Sequence, residues 1–201
     1  MAFTPKQLEQ MQTRLARPRR AAQPVFDSNP RAVARHAIII GVDPSLRGTG
    51  YGVIRVGKSG PTALAHGTIS CPPSWERSRC LLRILQTLRE IVAQHRPGAC
   101  AIEGLFYAQN LQTTLIMGEA RGAALAAMAE AGLEIYEIAP RKVKQAIVGY
   151  GAAQKMAVAK MVQRLLRLSE PPAPDAADAL AIALTYAQEN GRFGLTMLKR
   201  I

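Results

Sequence analysis

From His36 onward the chain alternates between short apolar runs and longer stretches in which apolar residues recur at helical spacing. Runs at 37–42, 51–56, 62–70, 99–103 and 134–138 predict five strands. Between the third and fourth, Trp75 to His95 places Leu81, Leu82, Ile84, Leu85, Leu88, Ile91 and Val92 on one broad helical face, stopping before Pro97. A second long helix is predicted from about Leu111 to Ala131. Its Gly118, Gly122, Ala123 and Ala126 would let another backbone approach closely. Pro140 suits the first position of a short helix through Ile147, which Gly149-Tyr150-Gly151 breaks. Another helix then runs to about Leu168, and a last one begins near Asp175. Three consecutive hairpin-like strands followed by alternating helices and strands predict an α/β fold. Its mixed five-stranded sheet would be flanked by helices in a single domain over 37–190.

The flanks differ from this body. Leu8, Met11 and Leu15 could line a short helix starting near Pro5, and Arg17-Pro18-Arg19-Arg20 with Pro24 and Pro30 suits an extended or disordered basic arm over 1–36. An auxiliary contact to nucleic acid and a dispensable tail are equally compatible with that arm. Residues 191–201 read as a C-terminal tail.

Charge narrows the choice of partner. With 26 Lys and Arg against 14 Asp and Glu, the net charge is +12, which attracts polyanions such as nucleic acid or an acidic membrane surface. No apolar run approaches the roughly 18 residues needed to span a bilayer. The first residues also lack the apolar centre of a signal peptide. The expectation is a cytoplasmic protein without a membrane partner. Cys71, Cys80 and Cys100 are odd in number and scattered, which fits a reducing compartment and supplies neither a disulfide framework nor a zinc knuckle.

Against this basic background four carboxylates stand out. Asp43 ends the apolar strand 37–42 and is followed by Pro44 and a glycine-spaced segment, Gly48, Gly50 and Gly52, read as a turn leading into the next strand. Glu103 ends its own strand in the same way, so the two acids can meet if the strands are neighbours. Asp175 and Asp178 stand three residues apart, on one helical face. Asp175 alone could be a helix N-cap. Asp178 has no Lys or Arg partner nearby in sequence. Ionised acids at apolar strand ends are costly unless a cation faces them. A set of oxygen ligands suits Mg²⁺ or Mn²⁺, while the dispersed His36, His66 and His95 argue against zinc. Two such ions could activate a water and stabilise the leaving 3′ oxygen of a phosphodiester. The residues point to a metal-dependent nuclease.

Taken together, Gly41-Val42-Asp43-Pro44, Thr49-Gly50-Tyr51-Gly52-Val53, Ala101-Ile102-Glu103, Phe106 with Asn110, Gly118-Glu119-Ala120-Arg121-Gly122, Val143-Lys144-Gln145, Val148-Gly149 and the helix from Asp175 through Asp178 resemble the RuvC family of Holliday-junction resolvases in order and spacing. The resemblance covers roughly residues 37–189. It implies a ribonuclease H-like fold and a Mg²⁺-dependent homodimer that nicks two opposed strands of four-way junction DNA symmetrically. It also implies a branch-migration partner of the RuvAB type. By the same resemblance Asp43, Glu103, Asp175 and Asp178 are catalytic acids binding two metal ions, Phe106 meets bases near the junction centre, and Lys144 and Lys155 contact phosphates. The weaker alternative for Phe106 is a core residue after a strand, and for either lysine a solvated face, against which the Gly149-Tyr150-Gly151 loop and the family match both weigh. The family commonly has glycine where this chain has Ser45, which would cost about 1 kcal/mol if the position needs a positive φ.

Other readings compete. An actin-like ATPase also opens on a strand, an Asp and a glycine-rich turn, but needs a second comparable domain. A ribonuclease H-like nuclease acting on RNA or RNA–DNA hybrids would carry the same carboxylates. A non-catalytic junction-binding protein would lack at least one of them.

Overall fold

A computed structural model of the chain describes residues 36–104, 111–191 and 198–201. Its strands are β1 (Ile38–Asp43), β2 (Gly48–Gly57), β3 (Gly60–Ser70), β4 (Ala99–Glu103), β5 (Glu134–Ile138) and β6 (Lys199–Arg200), joined into one sheet in the order β3-β2-β1-β4-β5-β6. The short links after β1 and β2 permit only antiparallel hairpins. β4 and β5 run parallel to β1, and the connections they require carry α1 (Arg77–His95) and α2 (Leu111–Glu130). Three further helices, α3 (Pro140–Val148), α4 (Lys155–Leu166) and α5 (Pro174–Gly191), cover the other face.

The sheet is therefore covered on both sides, which is why β1 and β4 read as unbroken apolar runs. Ile40, Val42, Cys100 and Ile102 pack with Cys80, Ile84 and Leu88 of α1 and Ala124 and Met128 of α2. Ile39, Ile54, Ala99 and Ala101 pack with Leu180, Ala183 and Leu184 of α5. No described helix is long and apolar enough to cross a membrane.

Several expectations change. Gly48, Gly50 and Gly52 do not form a turn; they lie inside β2, and their absent side chains make room for α5. A Cβ on Gly50 would stand 2.0 Å from the Asp175 carbonyl oxygen, and one on Gly52 would stand 2.7 Å from Leu180 Cγ. On β1, a Cβ on Gly41 would lie 2.1 Å from Ala179 O. On α1, Leu82 is 52% exposed and Cys80 takes the inward position, because Cys80, Ile84, Leu88 and Val92 follow one i, i+4 ridge, with Ile91 beside it, while Leu82 lies about half a turn away. On α2, Ala120, Arg121, Ala124, Ala127 and Met128 are buried. The stripe of Gly118, Gly122 and Ala126 does not serve its own sheet, since a Cβ on either glycine meets nothing within 4 Å. The sixth strand had no apolar run to announce it. Lys199 and Arg200 are tied to β5 by ion pairs to Glu137 (3.1 Å) and Glu134 (3.2 Å).

Candidate active site

Because β1 and β4 are adjacent and parallel, with Val42 opposite Ile102, the acids that end them come side by side. Asp43 and Glu103 are in hydrogen-bond contact. The glycines of β2 let the first turn of α5 settle over this point. Asp175 rests against Gly48 and Gly50, its Oδ2 2.9 Å from where a Gly48 Cβ would be. Asp178 follows one turn later, and Lys155, the first residue of α4, donates from Nζ to its Oδ2 at 3.1 Å. Asp43 lies within electrostatic reach of Glu103, Asp175, Asp178 and Lys155. The structure thus brings together all four predicted acids and one of the two predicted lysines.

Crowding these acids has a measurable consequence. Burial, then the charge of Asp178, raises the Asp43 carboxyl above its ordinary range. Glu103 is pushed up to about 8, again by burial first and by Asp43 second. The hydrogen bond to Asp178 raises Lys155. Half-buried carboxyls facing one another hold a proton in preference to both ionising, and a cation placed between them reverses that preference.

The donors are all carboxylate oxygens, which fits a hard divalent ion. Among the described residues no group of three or more His, Cys, Asp or Glu stands close enough as placed to hold a metal ion without adjustment. An open cluster of this kind suits Mg²⁺ or Mn²⁺, ions that retain waters and take substrate oxygens as ligands. It does not suit zinc: His36 sits before the other end of β1, where its Nδ1 lies 2.9 Å from the Tyr186 hydroxyl.

Residues 39–186 match the family model described as crossover junction endodeoxyribonuclease RuvC. The chain belongs to the RuvC family. It is 47% identical over 148 residues to the crossover junction endodeoxyribonuclease RuvC of Akkermansia muciniphila, covering 74% of this chain and 89% of that one. Against its counterpart in Halorhodospira halophila the figures are 48% over 150 residues, with the same coverage. A solved structure of Thermus thermophilus RuvC in complex with a Holliday junction substrate superposes with a TM-score of 0.73 at 35% identity, covering 83% of this chain and all of that one. The fold is ribonuclease H-like, and the activity is that of an endonuclease hydrolysing DNA at crossover junctions.

Within this RuvC-family chain the remaining expectations sort as follows. Asp175 is not an N-cap: α5 starts at Pro174, so the carboxylate lies inside the first turn, where the helix dipole favours it. Ser45 is not among the described residues with positive φ, so it carries no left-handed strain. Its N–H donates to Thr49 Oγ1 at 3.2 Å, and the Thr49 hydroxyl donates back to Ser45 O at 2.5 Å. Lys144 is half-buried on α3 and has no ion-pair partner among the described residues, whereas its neighbour Lys142 is held by Glu189 at 3.1 Å. Phe106 lies outside the described residues.

Two supporting residues were given no role by the sequence reading. Arg47 holds the segment after Asp43 by donating to the carbonyls of Pro72 and Trp75. Arg121 is buried beside Glu103. Its signal was available: it is the one charged residue in the stretch Ala120–Ala129.

Proposed function

We propose that this chain resolves Holliday junctions by metal-assisted hydrolysis, with Asp43, Glu103, Asp175 and Asp178 holding two Mg²⁺ ions, or Mn²⁺ in their place. The observation that carries this reading is the convergence of four carboxylates from β1, β4 and α5 on one point of a strongly basic protein. Bound at that point, the ions supply activation of water and stabilisation of the leaving 3′ oxygen. The chain's own residues do the rest. The acids fix where the scissile phosphate must stand. Lys155, 76% exposed at its side chain yet anchored to Asp178, offers its charge to a neighbouring phosphate, and Lys144, without an ion-pair partner among the described residues, offers a second. Phe106 is assigned to a base near the branch point.

Symmetric nicking calls for two such sites at fixed separation, hence a homodimer on a two-fold axis. The outward row of α2 supports it: Leu111 and Leu115 are 73% and 59% exposed, and Gly118 and Gly122 continue the row with open space above them. A branch-migration motor of the RuvAB type is the assigned partner, and the three free, buried cysteines fit a cytoplasmic setting.

The test incubates purified protein with labelled four-way junction, plain duplex and an RNA–DNA hybrid, in Mg²⁺ or EDTA. The expected outcome is paired nicks in the junction with Mg²⁺ alone. Asp43→Asn, Glu103→Gln, Asp175→Asn and Asp178→Asn should each bind the junction and fail to cut it. Near-normal cutting by any of these variants removes that residue from the site, and preferential cutting of the hybrid overturns the assignment of substrate.

A further inference from the structure

Arg121 is buried in the middle of α2, 7% exposed, among Ala120, Ala124, Ala127 and Met128. A guanidinium in such a setting is very costly unless its donors are met. Two are met at one place. Nη1 donates to the main-chain carbonyl of Glu103 at 2.8 Å, and Nη2 donates to the carboxylate of Glu137. Glu137 stands opposite Ile102 in the β4–β5 ladder, one row before the pair Glu103 and Ile138. Its second oxygen accepts from Lys199 on β6 at 3.1 Å.

We infer that Arg121 is a positioning residue for Glu103, acting through the main chain to hold the metal-binding carboxylate in place. Glu103 is the last residue of β4, where the ladder ends and a carbonyl would otherwise be free to turn. The Gly104 N–H is bound to Ile138 O at 2.9 Å on one side of the following peptide, and Arg121 holds the Glu103 carbonyl on the other. Gly104 is suited to this place, since a Cβ there would come within 3.2 Å of Glu137 Cγ. With the peptide plane locked, the Cα–Cβ direction of Glu103 is locked as well. Ligands of a working site need placement to within about 0.5 Å, which calls for this kind of support. Only arginine has the forked geometry to reach both acceptors together; lysine offers a single point charge.

The inference rests on Glu103 belonging to the metal site, so the experiment separates the two. Arg121→Lys, Arg121→Met and Glu103→Gln are compared with the unaltered protein by Mn²⁺ titration without DNA, read by electron paramagnetic resonance of free Mn²⁺. Junction affinity in EDTA and thermal melting are measured alongside. Removing support of this kind typically weakens metal affinity or activity by about 10- to 100-fold. The expected result is that range for Arg121→Met and a smaller loss for Arg121→Lys, with junction affinity in EDTA unchanged. Should Arg121→Met fail to fold, Arg121→Lys decides. If Glu103→Gln loses Mn²⁺ while the folded Arg121 variants bind it as the unaltered protein does, the positioning role is overturned, whatever their melting temperatures. If Glu103→Gln binds Mn²⁺ normally, the metal-site assignment itself falls.

Discussion

Gly50→Ala should disable the site by pushing against the helix that carries two of its acids. A methyl group at this position would stand 2.0 Å from the carbonyl oxygen of Asp175 and 2.5 Å from its carbonyl carbon. Non-bonded carbons do not approach closer than about 3 Å, so one side must retreat by about 1 Å, and close-packed interiors do not absorb such a change by compression. β2 is held between two neighbours at this row, Gly50 being opposite both Asp43 and Thr68. The helix is therefore the part that moves, and it carries Asp175 and Asp178 with it. A 1 Å misplacement of reacting groups costs about 100-fold in rate, and the overpacking itself should destabilise the fold by about 1–3 kcal/mol. The assay is single-turnover junction cleavage at saturating protein, with urea unfolding alongside. Gly57→Ala serves as the control on the same strand, because its nearest neighbour, Gly60 O, lies at an ordinary 3.7 Å. If Gly50→Ala matches Gly57→Ala in both rate and stability, the close approach of α5 does not set the geometry of the acids.

The raised carboxyl of Glu103 has a sign that can be tested. Between its ordinary 4.5 and about 8 the unfolded chain has released a proton that the folded chain keeps, so stability without metal should fall as pH rises through that window. Urea midpoints in EDTA at about pH 5 and about pH 8.5 should show this fall, and Glu103→Gln should flatten it; equal pH dependence in both proteins would refute the assignment. Lys155→Ala and Lys144→Ala should each reduce the log–log salt slope of junction binding by up to about one unit, and an unchanged slope for both would return them to solvated surface. Gly122→Ala should raise the stability of a lone protomer by about 0.5–1 kcal/mol, because helix propensity improves and nothing is struck. In sedimentation the same variant should weaken self-association, and an unaffected dimer would place the two-fold contact elsewhere.

The elements were legible in the sequence because apolar periodicity is a local property, and the strands at 99–103 and 134–138 match the observed ones to the residue. The acids were legible because a carboxylate at the end of an apolar strand conflicts with its surroundings. The role of Gly41, Gly50 and Gly52 was not, since a glycine that opens a turn and one that admits a helix look alike until the partner is known. Asp175 was ambiguous for a related reason: two residues of difference in where α5 begins separate a cap from a first-turn acid. Arg121 was visible as a lone charge in an apolar helix, but its role and that of Glu137 were not, because their partners are a main-chain carbonyl, each other and Lys199, and none of these contacts leaves a spacing in the sequence. β6 depends on ion pairs to β5, which no apolar pattern could announce.

The position of α5 in the order of synthesis has its own consequence. A ribosome delivers Asp43 and Glu103 early, but Asp175 and Asp178 arrive on the last long helix, which is also the lid over Ile39, Ile54, Ala99 and Ala101. A chain cut before α5 would therefore lack Asp175 and Asp178 and uncover these four residues of its sheet. Apolar surface left uncovered in this way is what chaperones and proteases act on. Closing this side of the core and bringing the second pair of acids to the sheet are therefore the same event.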